Sequence, residues 1–67
     1  MKIFTMVISG CANEAITSVQ MAFGCIVVRH NDTADFVTFD KGDDDVVIQV
    51  LTDHGAEFIK YKEMKTC

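Results

Sequence analysis

The chain contains no proline and no tryptophan, and only six of its 67 residues are lysine or arginine. Without proline, the composition indicates no proline-rich linker and no proline break in a helix or strand. Ten acidic residues give a net charge of −4, which disfavours contact with nucleic-acid phosphates or an anionic membrane surface. The sequence therefore predicts no direct nucleic-acid partner and no membrane partner. Acidity of this degree suits a protein partner with a basic surface, or serves solubility alone.

Long apolar runs and a regular cysteine pattern are also missing. The amino-terminal stretch MKIFTMVISG is too short in apolar residues for a secretory or membrane segment. Cys11, Cys25 and Cys67 are odd in number, and their spacing matches no zinc or disulfide framework. We therefore expect a cytoplasmic protein with reduced thiols and no cofactor.

What the chain does have is apolar content, since 49% of its residues are hydrophobic. This content favours a folded protein over a disordered one, and the length leaves room for a single domain over residues 1–67. A chain this small also has little interior in which to place so many apolar side chains. An exposed apolar patch or a homodimer interface is therefore expected.

The hydrophobic pattern changes period along the chain. Runs rich in β-branched and aromatic residues predict strands at 2–9, 25–29, 35–40 and 57–62, with apolar residues on both faces of the first. Helical spacing predicts helices at 12–23 and 45–54, with the carboxylates of residues 43–45 capping the second or lying in its first turn. This order predicts an α+β fold of ferredoxin-like βαββαβ architecture, with a four-stranded antiparallel sheet and two helices on one face. The other face of the sheet is expected to be open.

Within this order, the chain resembles the heavy-metal-associated domains of copper chaperones over residues 3–60. The resemblance lies in the spacing of the first helix and second strand, from Ile16 to Val28, and in the later strand and helix at 36–39 and 47–55. Those domains carry a Cys-x-x-Cys metal loop before the first helix. Here Ser9 and Ala12 stand at the two cysteine positions, and Cys11 lies one place off. The resemblance therefore implies the fold without the two-thiolate metal site.

Acidic residues are concentrated between positions 32 and 45, where lysine occurs once. Helix capping and solvation explain such a cluster without any partner, and cation binding is a further alternative, although the segment lacks the residue order of a calcium loop. The functional alternative is an acidic surface that docks against lysine and arginine of a partner. The candidate partner-binding residues are Asp32, Asp35, Asp40, Asp43, Asp44 and Asp45.

No set of residues forms a recognisable catalytic motif. Cys11 lies near a helix start, but a nucleophile also needs a base, and the predicted topology gives no reason for His30 or His54 to lie beside it. We therefore expect a non-enzymatic protein-interaction module or inhibitor. In size and charge the chain resembles phage accessory proteins that block host enzymes or nucleic-acid-binding complexes. The alternative is a degenerate metal-binding or small-ligand domain that uses Cys11.

Overall fold

A computed structural model describes residues 1–62 and confirms the expected order of elements. The strands and helices are β1 (Lys2–Val7), α1 (Asn13–Phe23), β2 (Ile26–Arg29), β3 (Thr33–Thr38), α2 (Asp43–Asp53) and β4 (Glu57–Lys62). The strands form one antiparallel sheet in the order β2-β3-β1-β4. Each helix connects an edge strand with one of the two central strands, as in a ferredoxin-like α+β fold.

The core lies between one face of the sheet and both helices. Alternate residues of the two central strands are buried, among them Phe4, Met6 and Phe36, because successive side chains of a strand point to opposite faces. They form one cluster with the inward positions of both helices, which places both helices on the same face. The helix residues in that cluster are Ile16, Val19, Val47 and Leu51.

The other face of the sheet is open and partly apolar. Ile26 and Val28 of the edge strand β2 are about half exposed, at 51% and 49%. In register beside Ile26 lie Val37 and Ile3 on the two central strands, both partly exposed. The expected exposed apolar surface is therefore present on this face.

The hairpin between β2 and β3 is tighter than the sequence indicates. Residues 30–34 are predicted to form a loop, but Thr33 and Ala34 belong to β3, and the amide of His30 donates to the carbonyl of Thr33 at 2.9 Å. Only Asn31 and Asp32 lie between this pair. The prediction was wrong because polar residues at a strand end and in a turn look alike in sequence.

A β-bulge in β4 changes which of its side chains face the core. Strict alternation predicts Phe58 and Tyr61 on opposite faces, but the register with β1 shifts between Thr5 and Met6. The bulge adds one residue to β4, so both aromatic rings pack against Phe4, with centroids 6.4 and 6.1 Å from its ring. The predicted face assignment of β4 was therefore wrong.

The start of α2 also differs from the prediction. Gly42 occupies the N-cap position, and no side chain among residues 1–62 caps the helix. Asp43, Asp44 and Asp45 instead form its first turn, where the helix dipole favours negative charge. At the other end of α2, helical spacing predicts His54 on the inward stripe of the helix, but His54 is exposed. Ala56, just after the helix, is buried.

One close backbone contact links the turns that follow β1 and α2. Gly55 has a φ of 99°, and a Cβ at this position would overlap the carbonyl oxygen of Gly10. Only glycine combines a left-handed backbone with so close an approach.

Candidate functional site

The six candidate aspartates do not form one surface. Asp32 lies in the hairpin turn, and Asp35 lies in the middle of β3. Asp40 and the first turn of α2 follow the other end of that strand. Six extended residues span about 20 Å, so β3 holds Asp32 and Asp40 at opposite ends of the sheet.

The side chain of Asp35 is hydrogen-bonded on the open face of the sheet. Its Oδ1 accepts a hydrogen bond from the hydroxyl of Thr5 at 2.6 Å, and its Oδ2 accepts one from Lys62 at 3.0 Å. The ring of His30 lies 3.3 Å from the same Oδ2. The Thr5 hydrogen bond and then the contacts of Lys62 and His30 lower the pKa of Asp35 to about 2, although partial burial opposes the shift. The Asp35 side chain is only 15% exposed, so it stabilises the sheet face and offers little charge to a partner.

Asp44 is also engaged inside the molecule. It is buried, and its Oδ2 accepts a hydrogen bond from the hydroxyl of Tyr61 at 2.8 Å. That hydrogen bond, followed by burial and the nearby charges of Asp44 and Asp45, raises the pKa of Tyr61 to about 12. The pair joins the first turn of α2 to strand β4.

The remaining aspartates at this end carry available charge. Within residues 1–62, the carboxylates of Asp40, Asp43 and Asp45 make no side-chain hydrogen bond or ion pair. Asp40 and Asp45 are exposed and Asp43 is half-buried. A charge without an internal partner is free to interact with an external one.

A surface depression of about 520 Å³ is lined by two of these carboxylates together with aromatic and basic side chains. We name it the acidic depression. Phe39, 48% exposed, and Tyr61, 44% exposed, line it with Asp40 and Asp45. Lys41 also lines it, as does Lys2, whose ammonium group lies 5.5 Å from the centroid of the Tyr61 ring. Aromatic faces beside carboxylates can hold a cationic side chain through charge and cation–π attraction.

The thiol of Cys11 is placed unfavourably for chemistry. Cys11 is half-buried and its thiol contacts the carbonyl of Ala12 at 3.7 Å. Burial raises its pKa, against an opposing effect of Arg29, whereas a reactive thiol needs a lowered one. Among residues 1–62, no three His, Cys, Asp or Glu side chains lie close enough together to hold a metal ion. Cys67 lies outside the described residues.

The structure also shows a groove that the sequence did not indicate. About 460 Å³ of space lies between α1 and α2, lined mainly by small and apolar residues that include Ala15, Ala22 and Val50. Helical spacing places Ala22 on the inward face of α1, yet it is exposed, because the helices do not close over it. His54 borders the groove, and its Nδ1 lies 2.8 Å from the carbonyl oxygen of Val50. That nitrogen must therefore carry the proton.

No protein-family model matches the chain, and neither a curated protein nor a solved structure is significantly similar to it. The resemblance to heavy-metal-associated domains therefore stays a prediction, and the ferredoxin-like assignment rests on the strand order itself. None of the helices in the described part of the chain is long and apolar enough to span a membrane.

Proposed function

We propose that this protein is a non-enzymatic interaction module or inhibitor that binds a protein partner with a basic surface. The contact is made by the acidic depression, which receives an arginine or lysine side chain of the partner. The observation that supports this proposal is the grouping of Asp40 and Asp45, whose carboxylates have no partner within residues 1–62, with two exposed aromatic rings in one concave surface.

The depression offers more than charge. An exposed ion pair contributes little because water and salt screen it. An aromatic wall removes part of that water and adds its own attraction for a cation. Guanidinium suits such a site better than ammonium does, since it is planar, stacks on rings and bonds two carboxylate oxygens at once. Lys2 and Lys41 also line the depression and repel an entering cation, so the two carboxylates and the aromatic rings must outweigh that repulsion.

Of the two internally bonded aspartates, only Asp44 helps to hold the site in shape. Asp44 and Tyr61 fix one wall through their 2.8 Å hydrogen bond. Asp35 lies on the open face and lines no part of the depression. Of the six aspartates proposed from the sequence, Asp40 and Asp45 therefore carry the proposed contact, and Asp44 positions it.

A peptide titration followed by NMR tests this function. The probe is the tripeptide Gly-Arg-Gly, and the matched control is Gly-citrulline-Gly, which has nearly the same shape without the charge. We expect the arginine peptide to shift the amide signals of Phe39, Asp40, Asp45 and Tyr61, and the citrulline peptide to leave them unchanged. Equal shifts with both peptides, or arginine-dependent shifts spread evenly over the surface, would contradict the proposal.

A further inference from the structure

The two edges of the sheet are protected to very different degrees. Strand β4 carries a bulge and the exposed residues Lys60 and Lys62, which are devices that discourage pairing with another strand. Strand β2 is a short run of Ile26, Val27, Val28 and Arg29 that pairs regularly with β3. It contains no lysine and no bulge. Ile26 and Val28 are about half exposed, and Val27 is half-buried.

The backbone groups of β2 that point outward follow from the hairpin. His30 and Thr33 form a hydrogen-bonded pair, and such pairs alternate along an antiparallel ladder. With Ile26 opposite Val37 and Val28 opposite Asp35, the amides and carbonyls of Ile26 and Val28 are directed to β3. Those of Cys25, Val27 and Arg29 therefore point away from the sheet and can pair with a new strand.

We propose that β2 pairs antiparallel with β2 of a second copy of this chain, around a two-fold axis at Val27. In this register Val27 faces Val27 of the second copy, and Ile26 faces Val28 on the open side of the sheet. The Ile26–Val28 contact occurs twice by symmetry and the Val27–Val27 contact once, on the axis. The two four-stranded sheets join into one of eight strands.

Charge complementarity favours a second copy over an unrelated strand. In the same register Arg29 of one copy lies opposite Cys25 of the other, on the helix side of the sheet. Asp43 begins α2 just beyond the end of β3, at the end of the sheet where Ile26 pairs with Val37, so it lies at the same end of β2 as Cys25. Its carboxylate also acts, after burial, to raise the pKa of the Cys25 thiol. Arg29 is exposed and bonds only the neutral amide oxygen of Asn13, at 2.9 Å, within residues 1–62. Each copy therefore presents a cation to an unpaired carboxylate of the other.

The interface is independent of the acidic depression, because Asp43 does not line that depression. Pairing of two short edge strands buries less surface than the roughly 1,600 Å² of a standard stable interface. We therefore expect weak, concentration-dependent association, with a dissociation constant of about 10 µM to 1 mM.

Sedimentation equilibrium of the full chain tests the pairing. The apparent mass should rise from that of one chain towards that of two as concentration increases. Arg29→Glu should weaken association by about tenfold, and the charge swap Arg29→Glu with Asp43→Arg should restore it. The matched control Lys60→Glu makes the same charge change on the opposite edge and should leave association unchanged. A chain that stays monomeric at about 1 mM, or a dimer indifferent to Arg29→Glu, overturns the proposal.

A cross-linking experiment fixes the register. In a background with Cys11 and Cys67 replaced by serine and the buried Cys25 by alanine, one variant carries Ile26→Cys and another carries Val28→Cys. Opposed residues of a non-hydrogen-bonded pair have Cα atoms about 4.5 Å apart, within the range of a disulfide. Under mild oxidation the mixture should form covalent dimers, and neither variant should do so alone. Efficient cross-linking of the Val28→Cys variant alone would place the two-fold axis at Val28 and contradict the register. Equal cross-linking of each variant on its own would indicate face-to-face packing of the sheets and would also contradict strand pairing.

Discussion

The two ends of the sheet are closed by different kinds of contact. At one end, which we call the glycine end, backbone meets backbone: Gly10 lies against Gly55, and the amide of Ile8 donates to the carbonyl of Asp32 at 2.7 Å. At the other end, the acidic depression is closed by side chains, above all by the hydrogen bond of Tyr61 to Asp44. Backbone contacts leave little chemistry on the surface, whereas the side-chain end leaves carboxylates and rings exposed. This difference is the reason to place the proposed function at the acidic depression.

The largest expected effect is at the glycine end. Gly55→Ala places a methyl group on the carbonyl oxygen of Gly10 in a left-handed backbone, and we expect a loss of about 3 kcal/mol or more in the free energy of unfolding. Gly24→Ala is the control, because Gly24 is also left-handed, with a φ of 65°, but has open space around it. Gly24→Ala should lower the free energy of unfolding by only about 1 kcal/mol. If urea denaturation gave the same loss of unfolding free energy for both variants, the contact with Gly10 would contribute nothing to stability.

Asp35→Asn tests the carboxylate that lies between the two ends. The folded-state pKa of Asp35 is about 2, below its ordinary value, so the charged form stabilises the protein above pH of about 4 and this contribution fades as the pH falls towards 2. We expect the substitution to lower the unfolding free energy by about 2 kcal/mol at neutral pH and by little at pH of about 2. The control Asp32→Asn, in the exposed turn, should change the unfolding free energy by less than about 0.5 kcal/mol. A loss independent of pH would exclude the ionised network as its cause.

Tyr61→Phe removes the side-chain bond that closes the acidic depression. The buried carboxylate of Asp44 loses its donor while the ring keeps its contact with Phe4, so we expect a loss of about 1.5 kcal/mol in stability. A double-mutant cycle with Asp44→Ala, which removes the acceptor, isolates the bond from the change in packing. Additive effects of the two substitutions would show that the pair is not coupled.

The smallest effect on stability is expected where the proposed effect on function is greatest. Asp40 and Asp45 are exposed, so replacing both with asparagine should change the unfolding free energy by less than about 0.5 kcal/mol. The same replacement should abolish the shifts caused by the arginine peptide. A large loss of stability would indicate that these carboxylates serve the fold and would remove the reason to assign them to a partner.

The sequence predicts the fold better than the site. The order of elements follows from the change of hydrophobic period, and the burial of Phe4, Ile16 and Val47 follows from their positions within that pattern. The bulge in β4 could not be foreseen, because it depends on how Phe58 and Tyr61 both pack on a ring from β1.

The aspartates show why the sequence does not identify the site. They are neighbours in sequence, but an extended strand separates the first from the last by about 20 Å. Asp35 and Asp44 acquire partners, Lys62 and Tyr61, that lie far away in the chain. Residue type and spacing therefore identify the carboxylates without revealing which of them the folded protein leaves unpaired.

Affinity capture with charge-matched variants tests the proposed function most directly. Asp40→Lys with Asp45→Lys reverses the acidic depression, and Asp32→Lys with Asp53→Lys makes an equal change in net charge at the other end. From extracts of the source cell, the wild type and the second variant should retain the same basic protein, released by added salt, and the first variant should lose it. Retention by both variants, or loss from both, would contradict a partner site at the acidic depression.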